Sequence, residues 1–281
     1  MITEIIFTLR RMLGAILGWG VGLLLLAFLL VPLYETLFSP DQLFDMTAFI
    51  QSMPQEFMVF FGDMALISTP MGYLTVEFFS YMPVLIGFFM ITTGSGLLIN
   101  DEESGRLDLV LSHPINRVPL FAARCIAFLA AILGILLLAW LGVALPTLWT
   151  EIDITFGELI FPFLSMLGVL MVYGSLALLL SMLLPSRQIA SMVSGFLLVA
   201  SYLLTSLARL NSDLTALSRL LPFEYYQTND AVTDFNLVWF VALLGVSLVL
   251  TLLAGVLFRR RDIRVAGEGS WSLFSRKQTA R

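Results

Sequence analysis

MLGAILGWGVGLLLLAFLLVPLY (12–34) runs for 23 residues without an Asp, Glu, Lys or Arg. A bilayer core about 30 Å thick needs roughly 20 helical residues at about 1.5 Å each, so this stretch is long enough to cross once and too short to cross twice. Five more stretches share the property: 78–100, 125–150, 159–186, 188–208 and 235–258, with 23, 26, 28, 21 and 24 residues. The next longest uncharged run, 64–76, has 13 residues and is too short. The chain therefore reads as an all-α integral membrane protein with six transmembrane helices, here spans 1 to 6. Residues 1–281 form one membrane domain whose last part, 259–281, is a basic tail.

Composition excludes the soluble alternatives. Of the 281 residues, 59% are hydrophobic and 12% are charged, about half the charge of an ordinary soluble domain. Mean hydropathy is +0.94. That leaves too little polar side chain to cover a globule, and it rules out a disordered chain, a coiled coil or a nucleic-acid-binding domain. The single Cys125 and single His113 allow no internal disulfide and too few ligands for a Cys/His zinc site. The only lysine is Lys277, preceded by Arg276. A phosphate-binding loop needs Gly-Lys-Ser/Thr, so no nucleotide is held through such a motif on this chain. No cofactor is expected on it.

The formal net charge of −5 hides an asymmetry. With six spans, both termini lie on one side. That side carries Arg10, Arg11, Arg106, Arg117, Arg124, Arg187 and all seven bases of the tail, 13 in total, against Arg209 and Arg219 on the other. Excess Lys and Arg marks the cytoplasm, so both termini are expected there in a multi-pass protein of the cell membrane. Residues 1–11 (MITEIIFTLRR) place Ile5, Ile6 and Leu9 at helical spacing, an amphipathic segment on the cytoplasmic surface. The external loop 35–77 holds six acids and no base.

Within the spans no charged residue lies near a helix centre. Arg124 is expected to snorkel to the cytoplasmic interface, and Glu158 sits at an outer edge. This argues against a transporter driven through charged relay residues. Gly14, Gly18 and Gly22 recur every fourth residue in span 1. Such a row lets another helix approach closely, either within the subunit or across a subunit interface. In span 5, Ser191, Ser194, Ser201 and Thr205 share one helical face, interrupted by Leu198. They either line a pathway or bond back to their own helix and pack against neighbours.

The loop after span 2, DEESGRLDLVLSHPINR (101–117), is dense in charge. Ser104 fits a helix N-cap, Leu107, Val110 and Leu111 form a short apolar face, and Pro114 stops the helix. A short amphipathic cytoplasmic helix follows. It is either a solvated connector or a docking element for a partner's groove.

The pattern of Glu102, Gly105, Leu107, Asp108, Leu109, Leu111, Ser112, Pro114 and Arg117 resembles the first cytoplasmic loop of type-2 ATP-binding-cassette (ABC) exporter permeases. LRRMLGAILGWGVGL (9–23) and STPMGYLTVEFF (68–79) are similar to that family's approaches to helices 1 and 2, and Pro222-Phe223 also fits. Arg106 departs from the Thr common in the family.

The resemblance implies a non-catalytic six-helix permease that pairs with a second copy or a related permease. Two separate ATPase subunits would bind beneath it and hold the ATP and Mg. Residues 1–11 would be an elbow helix and 101–117 a coupling helix. The coupling helix would dock through Glu102, Glu103, Gly105, Arg106, Leu107, Asp108, Leu111, Pro114 and Arg117. Helices 1, 2 and 5 would form the pathway, bringing in the span 5 stripe. The implied activity is export of a hydrophobic or amphipathic compound. The competing readings are an ATPase-independent secondary transporter or channel, and an ABC-type mechanical or sensory relay without a transported substrate.

Overall fold

The structure, a computed structural model, describes residues 1–38, 54, 66–103, 117–150, 152 and 154–260. Among the described residues there are helices and turns and no strands. Six of the described helices are long and apolar enough to cross a membrane: α1 (Ile2–Leu37), α2 (Met82–Glu103), α3 (Arg117–Ala144), α4 (Ile160–Leu183), α5 (Arg187–Ala208) and α6 (Leu237–Arg260). Helices are the expected solution, because a lipid core offers no partner for backbone N–H and C=O groups and each helix satisfies its own.

α1 has 36 residues and no break between the amphipathic start and the apolar run. At about 1.5 Å per residue it is roughly 54 Å long, so one end projects beyond the apolar core. Residues 1–11 are thus helical as expected, but continuous with the span rather than a separate elbow.

Gly20, Leu23, Ala27 and Val31 form the buried edge of α1, which packs most extensively on α3. The facing edge of α3 is rich in small residues, including Ala123, Ala127, Ala131, Ala139 and Gly142. At Gly142 the approach is closest: a Cβ there would lie 2.4 Å from the Leu24 carbonyl oxygen. Only glycine fits, because the obstacle is backbone.

α4 lies at the centre, against α2, α5 and α6. α2 crosses it backbone to backbone, since a Cβ at Gly94 would sit 2.4 Å from the Gly174 carbonyl oxygen. The chain reaches α2 through a short helix, Pro70–Leu74, capped by the Thr69 hydroxyl accepting from the Gly72 amide, and then a π-helical turn, Thr75–Phe79. The second membrane segment therefore starts at Pro70, earlier than the uncharged run at 78. Glu77 interrupts the uncharged run without interrupting the helical path.

α4 is prepared by a reciprocal cap. The Glu158 carboxylate accepts from the Thr155 amide (2.9 Å), and the Thr155 hydroxyl accepts from the Glu158 amide (3.4 Å). Hydrogen bonds from Thr155 to the carboxylate, the backbone amide's first, favour its ionised form and hold the Glu158 pKa below its ordinary value.

Candidate functional site

The charged loop at 101–117 begins and ends on two fixed helix ends. Asp101, Glu102 and Glu103 are the last residues of α2, and Arg117 is the first of α3. Asp101 and Glu102 are buried. Gly105, Arg106, Leu107, Asp108, Leu111 and Pro114, together with the Ser104 cap, lie outside the described residues.

A compact ion cluster ties these ends to the start of α1. Arg124 of α3 contacts Asp101 of α2 at 2.7 Å, with only 3% and 4% of the two side chains exposed. Arg11 reaches both Asp101 carboxylate oxygens, at 2.8 and 3.1 Å. The Arg124 Nε donates to Glu4 at 3.2 Å, and its Nη1 donates to the Leu97 carbonyl at 3.0 Å. Two cations meet two carboxylates, so the group is neutral overall while Asp101 and Arg124 are almost fully desolvated. The Arg124 guanidinium meets protein carboxylates rather than water. Glu4 and Asp101 already lie beside it, and a buried guanidinium with a carboxylate on two sides needs no water.

Beside the cluster, Arg187 opens α5. Its Nη1 donates to the Asn100 side-chain oxygen (2.8 Å) and its Nη2 to the Thr92 carbonyl (3.0 Å), both on α2. The Ser186 hydroxyl caps the helix by accepting from the Ile189 amide. Gly96 makes room for this arrangement, because a Cβ there would be 2.6 Å from Asn100 Nδ2 and 2.9 Å from Arg187 Nε. A cavity of about 220 Å³ lies between α1, α2, α3 and α5, lined in part by Arg11, Arg124 and Arg187.

The α5 stripe faces inward. Ser191 shares a 2.7 Å hydrogen bond with Ser95 of α2. Leu198 is fully buried and would be the first obstacle to a Cβ at Gly87 of α2. Ser194, Ser201 and Thr205 are buried as well. The Ser194 and Thr205 hydroxyls find no hydrogen-bond partner among the described residues. Ser201 adjoins the Tyr173 hydroxyl of α4, but no hydrogen bond of ordinary geometry joins them. A buried hydroxyl without a partner costs about 1–3 kcal/mol, so this seam is held less firmly than an apolar one of the same shape.

The within-chain packing expected of Gly14, Gly18 and Gly22 is not found. All three are exposed, with nothing within 4 Å of where a Cβ would sit. Gly20, half a turn away, is the glycine that meets α3, where a Cβ would lie 2.4 Å from Leu138 Cδ1. Small-residue spacing marks a face that can be approached closely, and the partner decides which face is used.

The ion cluster was not singled out from the sequence. Its signal was there: Glu4, Arg11, Asp101 and Arg124 all lie at span ends that the charge asymmetry puts on one side. Among the described residues, no three His, Cys, Asp or Glu side chains come together to hold a metal ion.

Six apolar helices in one chain make this a multi-pass membrane protein. The family model described as ABC-2 family transporter protein matches residues 16–263. The chain belongs to that family of ABC transporter permeases, membrane components that work generally with ABC ATPases. No curated protein sequence matches it.

Proposed function

We propose that the chain is the transmembrane subunit of an ABC exporter of a hydrophobic or amphipathic compound, driven by ATP hydrolysis on two separate ATPase subunits. Both termini and the 101–117 loop face the cytoplasm in this reading, and ATP and Mg belong to the partner. The loop grips the ATPase as a coupling helix through Glu102, Glu103, Gly105, Arg106, Leu107, Asp108, Leu111, Pro114 and Arg117. The observation that carries the reading is the buried Arg124–Asp101 pair with its links to Glu4 and Arg11. It fastens both ends of the loop, and the first turns of α1, into one unit. A partner that contacts the loop differently in two nucleotide states would then bias the positions of α1, α2 and α3 together.

The α5 stripe of Ser191, Ser194, Ser201 and Thr205 supports a pathway along α2 and α5, since unpartnered hydroxyls gain hydrogen bonds when the seam opens. The exposed row of Gly14, Gly18 and Gly22 suits contact with a second permease, a copy of this chain or a relative.

The test is the complex reconstituted with its ATPase. Leu107→Asp and Gly105→Pro are expected to leave the permease inserted and folded while abolishing transport-coupled ATPase stimulation. Wild-type coupling in both variants would remove the docking role. A C-terminal reporter accessible only from outside would overturn the orientation.

A further inference from the structure

Among the described residues, the cavity of about 220 Å³ beside the ion cluster is lined by three guanidiniums, Arg11, Arg124 and Arg187, and by no carboxylate. Two of the three charges are already answered, because Asp101 and Glu4, outside the lining, pair with Arg11 and Arg124. Arg187 is different. Its acceptors are the Asn100 side-chain oxygen and the Thr92 carbonyl, both neutral, and no carboxylate pairs with it among the described residues. Its Nε donates to no described group, and neither do the Nε and Nη2 of Arg11. The cavity therefore keeps one net positive charge and a set of unused N–H donors.

That charge is held in a fixed place. Two bonds to α2 set the Arg187 guanidinium across that helix, and glycine at 96 leaves room for it, since a Cβ there would be 2.9 Å from Arg187 Nε. Fastening α5 to α2 does not itself require a charge. A half-buried guanidinium beside a lipid core is costly, and an anion that pairs with it offsets that cost.

The lining is also graded along its length. Arg11 and Arg187 lie at the span ends with Thr8 and Asn100, whereas Met12, Ala15 and Phe89 line the deeper part. Phe89 lies about 16 Å along α2 from Asn100 at about 1.5 Å per residue, tilted against Trp19 with ring centroids 6.3 Å apart. α1 packs chiefly on α3, and α5 on α2 and α4, so α1 and α5 flank the cavity without packing extensively on each other.

We infer that this cavity binds the headgroup of an anionic phospholipid through its phosphodiester. A phosphodiester carries one negative charge, which matches the one guanidinium left unanswered, and its oxygens accept from the forked donors of arginine. The grading from charged to apolar follows a lipid lying along the membrane normal, headgroup at the span ends and first methylenes deeper. The volume falls below the roughly 300 Å³ at which sites enclose a whole drug-sized molecule, and suits a headgroup whose tails stay in the bilayer. On the charge asymmetry of the loops this end faces the inner leaflet, where basic pockets between spans recognise such headgroups. The inference concerns binding alone and does not rest on transport or on an ATPase.

The experiment is native mass spectrometry of the detergent-purified full chain, titrated in turn with dioleoylphosphatidylglycerol and dioleoylphosphatidylcholine. It resolves the first bound lipid from later ones. The first phosphatidylglycerol should bind about two- to fivefold more tightly than the first phosphatidylcholine, the scale of a partly exposed charge pair. Arg187→Gln should bring the two lipids level. Arg259→Gln, which removes an exposed base at the end of α6 outside the cavity, should leave the preference intact. Added inorganic phosphate should not displace the lipid. Equal binding of the two lipids by the wild-type chain would overturn the inference, and that comparison stands whether or not the variant folds. An undiminished preference in Arg187→Gln, or its loss in Arg259→Gln, would place the lipid elsewhere and overturn it too. Displacement by inorganic phosphate would assign the cavity to a free anion instead. None of these results would bear on the docking role of 101–117.

Discussion

The two ends of the bundle use charge in opposite ways. At one end Arg124, Asp101, Arg11 and Glu4 are joined within 3.2 Å, and the two central side chains are almost fully buried. At the other, Glu224, Asp230, Asp234 and Arg209 line a cavity of about 660 Å³, three times the volume of the one beside the cluster, without pairing to one another. Charge spent on its own partners holds helices together and is unavailable to a ligand. Charge left unpaired and in contact with water adds nothing to the packing.

The contrast is tested first where the effect should be largest. Asp101→Ala strands two guanidiniums, one of them buried, and is expected to cost about 3–5 kcal/mol, read as a fall in the thermal unfolding midpoint of the detergent-purified protein. The double variant Asp101→Leu/Arg124→Met should recover most of that loss, because no buried charge remains unpaired. If Asp101→Ala unfolds at the wild-type temperature, the cluster is not structural. Asp230→Asn at the opposite end should leave the midpoint unchanged.

A smaller effect is expected at Gly96→Ala. Its Cβ would displace Asn100 and Arg187, an overpacking cost of roughly 1–3 kcal/mol, offset by about 0.8–1 kcal/mol of helix propensity. A net loss of about 1 kcal/mol should therefore appear, and should shrink when Arg187 is also changed to Ala, the remainder lying at Asn100, the nearer obstacle. Persistence of the full loss in the double variant would mean that Arg187 is no source of the strain.

The smallest effect belongs to Glu158, a partly exposed side chain at the head of α4. Its pKa in the folded chain is depressed below the ordinary 4.5. Its stabilising share is present above that value and is lost as pH falls through the folded pKa. Glu158→Gln should lower the midpoint slightly at pH 7 and not at all at the acid limit. An equal difference at both would show that the cap acts through shape rather than charge.

Much of this architecture can be read from where charge is missing. Asp, Glu, Lys and Arg are costly in lipid, so their gaps give the number of helices. The gaps do not give helix ends. α2 is preceded by helical turns from Pro70, and α3 begins at Arg117, because backbone hydrogen bonding continues past the first charged side chain. The inward face of α5 was legible in Ser191, Ser194, Ser201 and Thr205, a stripe that had to avoid lipid. The partners of Arg124 were not legible, because a sequence shows a charge without them: Glu4 and Asp101 are distant in the chain and adjacent in the fold. Which of the two packings the α1 glycines serve was not legible for a related reason. Four lie between 14 and 22, and only the position of α3 distinguishes Gly20 from Gly14, Gly18 and Gly22.

α1 is fastened near both of its ends. Glu4 and Arg11 hold the first turns to α3 and α2. About 35 Å further along, Tyr34 donates to the Ser68 carbonyl at 2.6 Å and packs its ring against Tyr73. A continuous helix cannot shorten between two such anchorages, so it acts as a strut. Rocking one anchorage sideways must move the other, unless the strut bends. Its interior offers one weak joint, Pro32, which removes a rung of the hydrogen-bond ladder just below Tyr34. Any flexing of α1 is therefore concentrated within a turn of its anchorage on Ser68 and Tyr73.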